Sequence, residues 1–205
     1  YTYNDRRAAN VTDADDIHHS TITLVGGVAN RLSGMGNAHL YAPMGRLSFT
    51  RWYSPAFAWR ANVQGIIRNA NVTGYNFAQA TAGADWMTDL TALTCGYDVT
   101  RAVAFKTVAG FNLGLDYARN AKHHTYFSPD VHLGMQMAVR LNNSLHIVVE
   151  PQVGYEMSKR LEPQHLGRFM PSLAVGVEYD MRHSDKKTDK VDTPTKRDFV
   201  SAAIG

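Results

Sequence analysis

The sequence predicts an all-β chain closed into an eight-stranded antiparallel up-and-down barrel, and three observations carry that expectation. Eight stretches alternate apolar and polar residues with a period of two, the mark of a strand with two chemically distinct faces. Gly reaches 16 in 205 residues while charged residues make up only 19%. That balance suits strands joined by many turns and excludes a disordered chain. No apolar run of ~18 residues or more occurs, so a helical membrane span is not expected.

Residues 1–19 form a polar N-terminal segment, 20–182 the barrel, and 183–205 a polar tail. Strand one runs near 20–31, with Ile22, Leu24 and Val28 on one face. Strand two covers 44–53, carries Leu47 and Phe49, and ends in Tyr53-Ser54-Pro55-Ala56, a tight turn with Pro at a favoured position. In strand three, 57–68, Phe57, Trp59, Ala61, Val63, Gly65 and Ile67 oppose Arg60, Asn62, Gln64 and Arg68. Strand four, 77–90, sets Ala78, Ala80, Ala82, Ala84 and Trp86 against Gln79, Thr81, Gly83 and Asp85. Strand five, 103–117, opposes Phe105, Ala109, Phe111, Leu113, Leu115 and Tyr117 to Lys106, Asn112 and Asp116.

Strand six, 131–141, alternates almost without fault: Val131, Leu133, Met135, Met137, Val139 and Leu141 against His132, Gly134, Gln136, Ala138 and Arg140. Asn142-Asn143 closes it as a hairpin turn. Strand seven places Leu145, Ile147, Val149, Val153 and Tyr155 opposite His146, Glu150, Gln152 and Glu156. Strand eight places Leu173, Val175, Val177, Tyr179 and Met181 opposite Ser172, Glu178, Asp180 and Arg182. Links after strands two and six are short and that at 94–101 moderate. Those at 32–43, 69–76, 118–128 and 157–169 are longer and polar. Short turns on one rim and long loops on the other, with strands of ~10 residues, match an outer-membrane barrel.

Alternation alone does not say which face looks inward. Gly83, Gly110, Gly114, Gly134, Gly154 and Gly176 fall on the charged face, whereas the oily face of strands three to eight has only Gly65. On a washed outer surface such glycines sacrifice β-propensity without return. Inside a narrow barrel they make room for long Arg, Lys and Gln side chains. Tyr53, Phe57, Tyr117, Tyr155 and Tyr179 sit at strand ends, where interfacial girdles belong. The expectation is a transmembrane β-barrel with a polar lumen. A soluble lipocalin-type ligand-binding barrel is the alternative.

The segment Gly45-Arg46-Leu47-Ser48-Phe49-Thr50-Arg51-Trp52-Tyr53-Ser54-Pro55 resembles the "GKWFTP" type of strand–turn segment in OmpA-like barrels of Bacteroidota. Ala84-Asp85-Trp86-Met87-Thr88-Asp89-Leu90 is similar to the "HADFLWNL" type of segment that follows it. Phe105 to Leu115, then Leu133 to Glu150, continue the match in order, so the resemblance spans 20–182. It implies an eight-stranded outer-membrane barrel with both termini in the periplasm, surrounded by outer-membrane lipid and lipopolysaccharide. Many relatives carry a C-terminal domain that grips peptidoglycan. Here His183 to Gly205 is a Lys/Asp/Thr-rich tail, so peptidoglycan is a partner only if a domain follows it.

The lumen is expected to be plugged by an ion-pair network drawn from Arg60, Arg68, Asp85, Lys106, Asp116, Arg140, Glu150 and Glu178, joined by Asp180 and Arg182. Burial without a counter-charge costs several kcal/mol, so pairing is expected. Counting out from Asn142-Asn143 suggests Arg140 with Glu150. Catalysis is weighed and set aside. Some outer-membrane barrels modify lipid A with Ser, His and acidic residues near the outer leaflet, and His123, His124 and Ser128 are the candidates on a predicted outward loop. Nothing in the sequence fixes a nucleophile–base geometry among them. His18-His19 has no Cys or acidic companion at metal-ligand spacing, Gly26-Gly27 lacks a phosphate-loop pattern, and Cys95 has no cysteine to pair with. Neither a cofactor nor a metal is expected. A net charge of +3 without a basic stripe argues against nucleic acid.

The expected function is therefore a non-enzymatic barrel with a structural or accessory-subunit role in the outer membrane. The Ala row at 78, 80, 82 and 84 makes an unusually smooth outer face, where small residues allow close approach of another outer-membrane protein.

Overall fold

The computed structural model describes residues 18–30, 41–69, 76–98, 101–118, 124–157 and 168–181. The strands are β1 (Ser20–Asn30), β2 (Tyr41–Trp52), β3 (Phe57–Asn69), β4 (Asn76–Asp89), β5 (Val103–Ala118), β6 (His124–Phe127), β7 (Asp130–Arg140), β8 (Leu145–Glu156) and β9 (Arg168–Asp180). A short helix, α1 (Leu90–Cys95), follows β4. Every pairing is antiparallel, β1 meets β9, and β4 meets β5. The sheet therefore closes and has no open edge.

Nine strands make eight staves. Leu115 opposes Phe127 and Asn112 opposes Asp130 in one continuous register, so β6 and β7 are one stave interrupted at Ser128 and Pro129. Pro129 has no N–H to give to the ladder, while Ser128 N still donates to Gly114 O at 2.8 Å. The sequence places this stave's start at 131 because the proline disguises its first turn as loop.

Rung by rung, Ala29 leads through Ser172, Gln152, Gly134, Val108, Met87, Ala58 and Trp52 back to His19. The return lands ten positions from the start on the same stave, 29 to 19. A stagger of this size around eight staves tilts them by about 40° and leaves a bore that side chains fill.

The wall has the predicted polarity. Leu24, Val63, Leu113, Leu133 and Val175 are about half exposed on the outer face, whereas Arg60, Gln136 and Glu150 inside are fully buried. This is the reverse of a lipocalin, whose bore is lined with oil. Aromatic side chains mark both rims. Trp86 packs on Tyr53 at 5.6 Å and on Phe57 at 6.0 Å near the terminus-side rim, and Tyr155 meets Phe169 at 5.4 Å near the other.

The rim that carries both ends of the described barrel also carries the tight connections. Ser54 Oγ accepts from Ala56 N and Phe57 N in the β2–β3 turn. Asn142 Oδ1 accepts from Ser144 N and Leu145 N between β7 and β8. Helix α1 replaces what the sequence suggests is a plain link. Asp89 caps it by accepting from Ala92 N at 2.8 Å, and Gly96 ends it at a φ of +80°. Of the four predicted long loops, 32–43, 69–76 and 157–169 fall largely outside the described residues, as do 1–17 and 182–205; in the fourth, 118–128, residues 124–127 form strand β6 rather than loop.

Candidate functional site in the barrel lumen

Alternation along the staves delivers every inward side chain to one narrow column, and the charged ones assemble in its middle. Arg60, on β3, donates through Nε to Asp85 Oδ2 at 2.6 Å and through both terminal nitrogens to the two oxygens of Glu150, at 3.1 and 2.9 Å. The fork matches a carboxylate in two parallel bonds, the strongest geometry such a pair adopts. Arg46 Nη2 reaches Glu150 Oε1 at 2.8 Å, and its Nη1 donates to Gln152 Oε1 at 2.8 Å. Gln152 and Gln136 add further donors to Glu150. Two guanidiniums and two carboxylates thus neutralise one another across the bore, linking β2, β3, β4 and β8.

A second group continues from Asp85. Its Oδ1 accepts from Asn62 Nδ2 at 3.0 Å and lies 2.9 Å from His132 Nε2. The other ring nitrogen of His132 lies 3.3 Å from Asp130 Oδ1, which also accepts from Asn112 Nδ2 at 2.9 Å. Toward the loop side, Gln79 donates to Ser128 and Ser128 donates to Glu156 at 2.6 Å. Toward the terminus side, Lys106 pairs with Glu178 at 2.8 Å and lies 5.2 Å from the centre of the Trp52 ring, on which His19 stacks. Apolar chains fill the rest, including Val25, Met44, Ile66, Val148 and Met170.

Glycine makes this packing possible. A Cβ on Gly110 would lie 2.2 Å from Asp85 Oδ1, and one on Gly83 would lie 2.0 Å from Asn112 Oδ1. In each case a polar chain lies over the bare backbone of the neighbouring stave. Gly45 and Gly65, on the outer face, would meet nothing within 4 Å.

The structure brings some members of the predicted network together. Arg60, Asp85 and Glu150 meet, and Lys106 meets Glu178. Asp116 is buried in the bore. Arg140 is a correction. It opposes His146 and bonds the hairpin residues Asn142 and Asn143 at the rim. Glu150 lies four residues further along β8, ~13 Å of strand at 3.3 Å per residue, beyond the reach of that side chain. The residue that sequence reasoning missed is Arg46. Its place between Gly45 and Leu47 on an alternating strand marks it as inward, but nothing local in sequence points it at a carboxylate across the bore. The side chain of Arg68 and all of Arg182 lie outside the described residues.

Ser128 is a second correction. It is fully buried in the lumen and so faces away from the outer leaflet, where a lipid-modifying nucleophile would have to stand. His123 and the side chain of His124 lie outside the described residues. His18 is exposed while His19 is buried against Trp52, and no metal-ligand cluster occurs among the described residues. Ala80, Ala82 and Ala84 face outward as predicted; the side chain of Ala78 is outside the described set.

No protein-family model matches the sequence, and no curated protein sequence is similar to it. Solved structures do share its fold. Neisserial surface protein A overlays with a TM-score of 0.63 at 12% identity, covering 78% of this chain and 96% of that one. Ail, the attachment invasion locus protein of Yersinia pestis, in complex with the heparin analogue sucrose octasulfate, gives 0.54 at 9% identity, over 80% and 98%. The N-terminal β-barrel domain of Pseudomonas aeruginosa OprF gives 0.52 at 9% identity, over 80% and 98%. At such identities the likeness is one of fold: this chain has the architecture of the eight-stranded outer-membrane barrels.

Proposed function

We propose that this chain is a non-enzymatic outer-membrane protein with a structural or accessory-subunit duty, its lumen sealed by the Arg46–Arg60–Asp85–Glu150 network. One observation carries the reading: an oily wall encloses a column whose central ions are buried and paired with one another. An eight-stave bore filled in this way leaves no continuous channel. Both described ends share the rim with the tight turns, which supports termini in the periplasm and long loops outside. The partners are outer-membrane lipid and, at the loop side, lipopolysaccharide. Reconstitution into planar bilayers tests the seal. The reading expects no persistent conductance from the parent protein, and stable open channels would overturn it.

The accessory role rests on the outer face. Gly26, Gly45, Gly65 and Ala80 oppose one another in one rung across four staves, all exposed, and Ala82 and Ala84 extend the smooth area. Close backbone approach to another outer-membrane protein is what such a surface permits. In purification from native membranes under mild detergent, Ala80→Trp is expected to release a co-purifying protein. Unaltered co-purification would remove the accessory reading and leave the structural one.

A further inference from the structure

Helix α1 is built in a way that its length alone would not require. Thr91 Oγ pins it to β5, accepting from Phe105 N at 2.7 Å and donating to Phe105 O at 3.3 Å. Asp89 holds its first turn. Ala92, together with Tyr97, Asp98 and Arg101, lines a cavity of about 70 Å³ at the lumen mouth, whose floor includes Trp52, Lys106 and Glu178. One side of α1 therefore roofs the bore.

On a helix, Leu90 and Leu93 share a face and lie well away from Ala92. With Ala92 over the lumen, those leucines are turned away from the barrel axis. They are 36% and 54% exposed, on a segment that already exposes Trp86 and Phe105 at 52% and 44%. The apolar outer wall and the Tyr53–Trp86–Phe57 girdle run directly into this helix.

We propose that α1 is an interfacial foot, seating Leu90 and Leu93 in the lipid leaflet that surrounds the terminus-side rim while Ala92 closes the lumen mouth. The argument rests on the membrane placement proposed above and extends it from the strands to a helix. The occupant is lipid because the leucines continue a lipid-contact belt.

Site-directed spin labelling in bilayer nanodiscs tests the proposal. In a Cys95→Ser background, single labels are placed at Leu93→Cys, at Leu113→Cys in mid-wall and at Asn143→Cys on an exposed turn. Collision rates with oxygen and with a water-soluble nickel complex are compared. The Leu93 label is expected to show an oxygen-to-nickel ratio several-fold above that at Asn143 and approaching that at Leu113. A Leu93 label matching Asn143 while Leu113 reads lipid would overturn the foot and leave the membrane placement standing. A Leu113 label that reads water would overturn the placement and the foot with it. Leu90→Cys supplies a second label should the first disturb folding.

Discussion

Replacing Glu150 by Ala is the sharpest perturbation of the lumen. The side chains of Arg60 and Glu150 are both 0% exposed, and Arg46 is 3%. Removing the carboxylate leaves Arg60 with Asp85 alone and deprives Arg46 of its only carboxylate partner among the described contacts. Stranding one member of a buried ion pair costs roughly 3–5 kcal/mol, equivalent to roughly two to four powers of ten in the folding equilibrium. Urea unfolding in lipid vesicles, followed by tryptophan fluorescence, reads this loss directly. Glu150→Gln keeps the volume and should be milder, so a failure of the Ala variant to fold does not end the test. Coupling with Arg60→Ala should be strongly non-additive, because both changes remove the same contact. A loss below about 1 kcal/mol for Glu150→Ala, with additive behaviour alongside Arg60→Ala, would refute the network.

Other perturbations separate rim from bore and inside from outside. Arg140→Ala removes hairpin contacts of a half-buried residue at the rim and should cost clearly less stability than Glu150→Ala in the same titration. Gly110→Ala would push Asp85 out of its seat and should cost about 1–3 kcal/mol, whereas Gly45→Ala meets open space and should cost nothing measurable. Lys106→Met leaves Glu178 without its cation at the lumen mouth, and its unfolding midpoint should fall below that of the parent.

The wall was legible in the sequence because a strand's two faces are written in every second residue, and lumen glycines announce where side chains from the next stave must fit. Gly110 beneath Asp85 is the clearest case. What stayed hidden depends on register and on distance across the bore. Arg140 and Glu150 share a face and a hairpin, yet the rung sets Arg140 against His146. Arg46 finds its carboxylate on a stave far along the chain, a contact that no local pattern encodes. Ser128 reads as a loop serine beside Pro129, but the proline interrupts a stave without leaving it, and the hydroxyl turns inward to Glu156. Helix α1 escaped because Leu90 and Thr91 continue the alternation of the strand before them, and only the Asp89 cap ends that strand.

The three tryptophans give the most direct measure of which face meets hydrocarbon. Trp59 and Trp86 are exposed on the outer wall, at 44% and 52%, while Trp52 is 3% exposed inside. Single-tryptophan variants can be placed in vesicles of lipids brominated along the acyl chain, and their fluorescence compared with that in unbrominated vesicles. Strong quenching of Trp59 and Trp86 with Trp52 largely spared is the predicted result. Equal quenching of all three, or a spared outer pair, would contradict the inside-polar, outside-oily barrel.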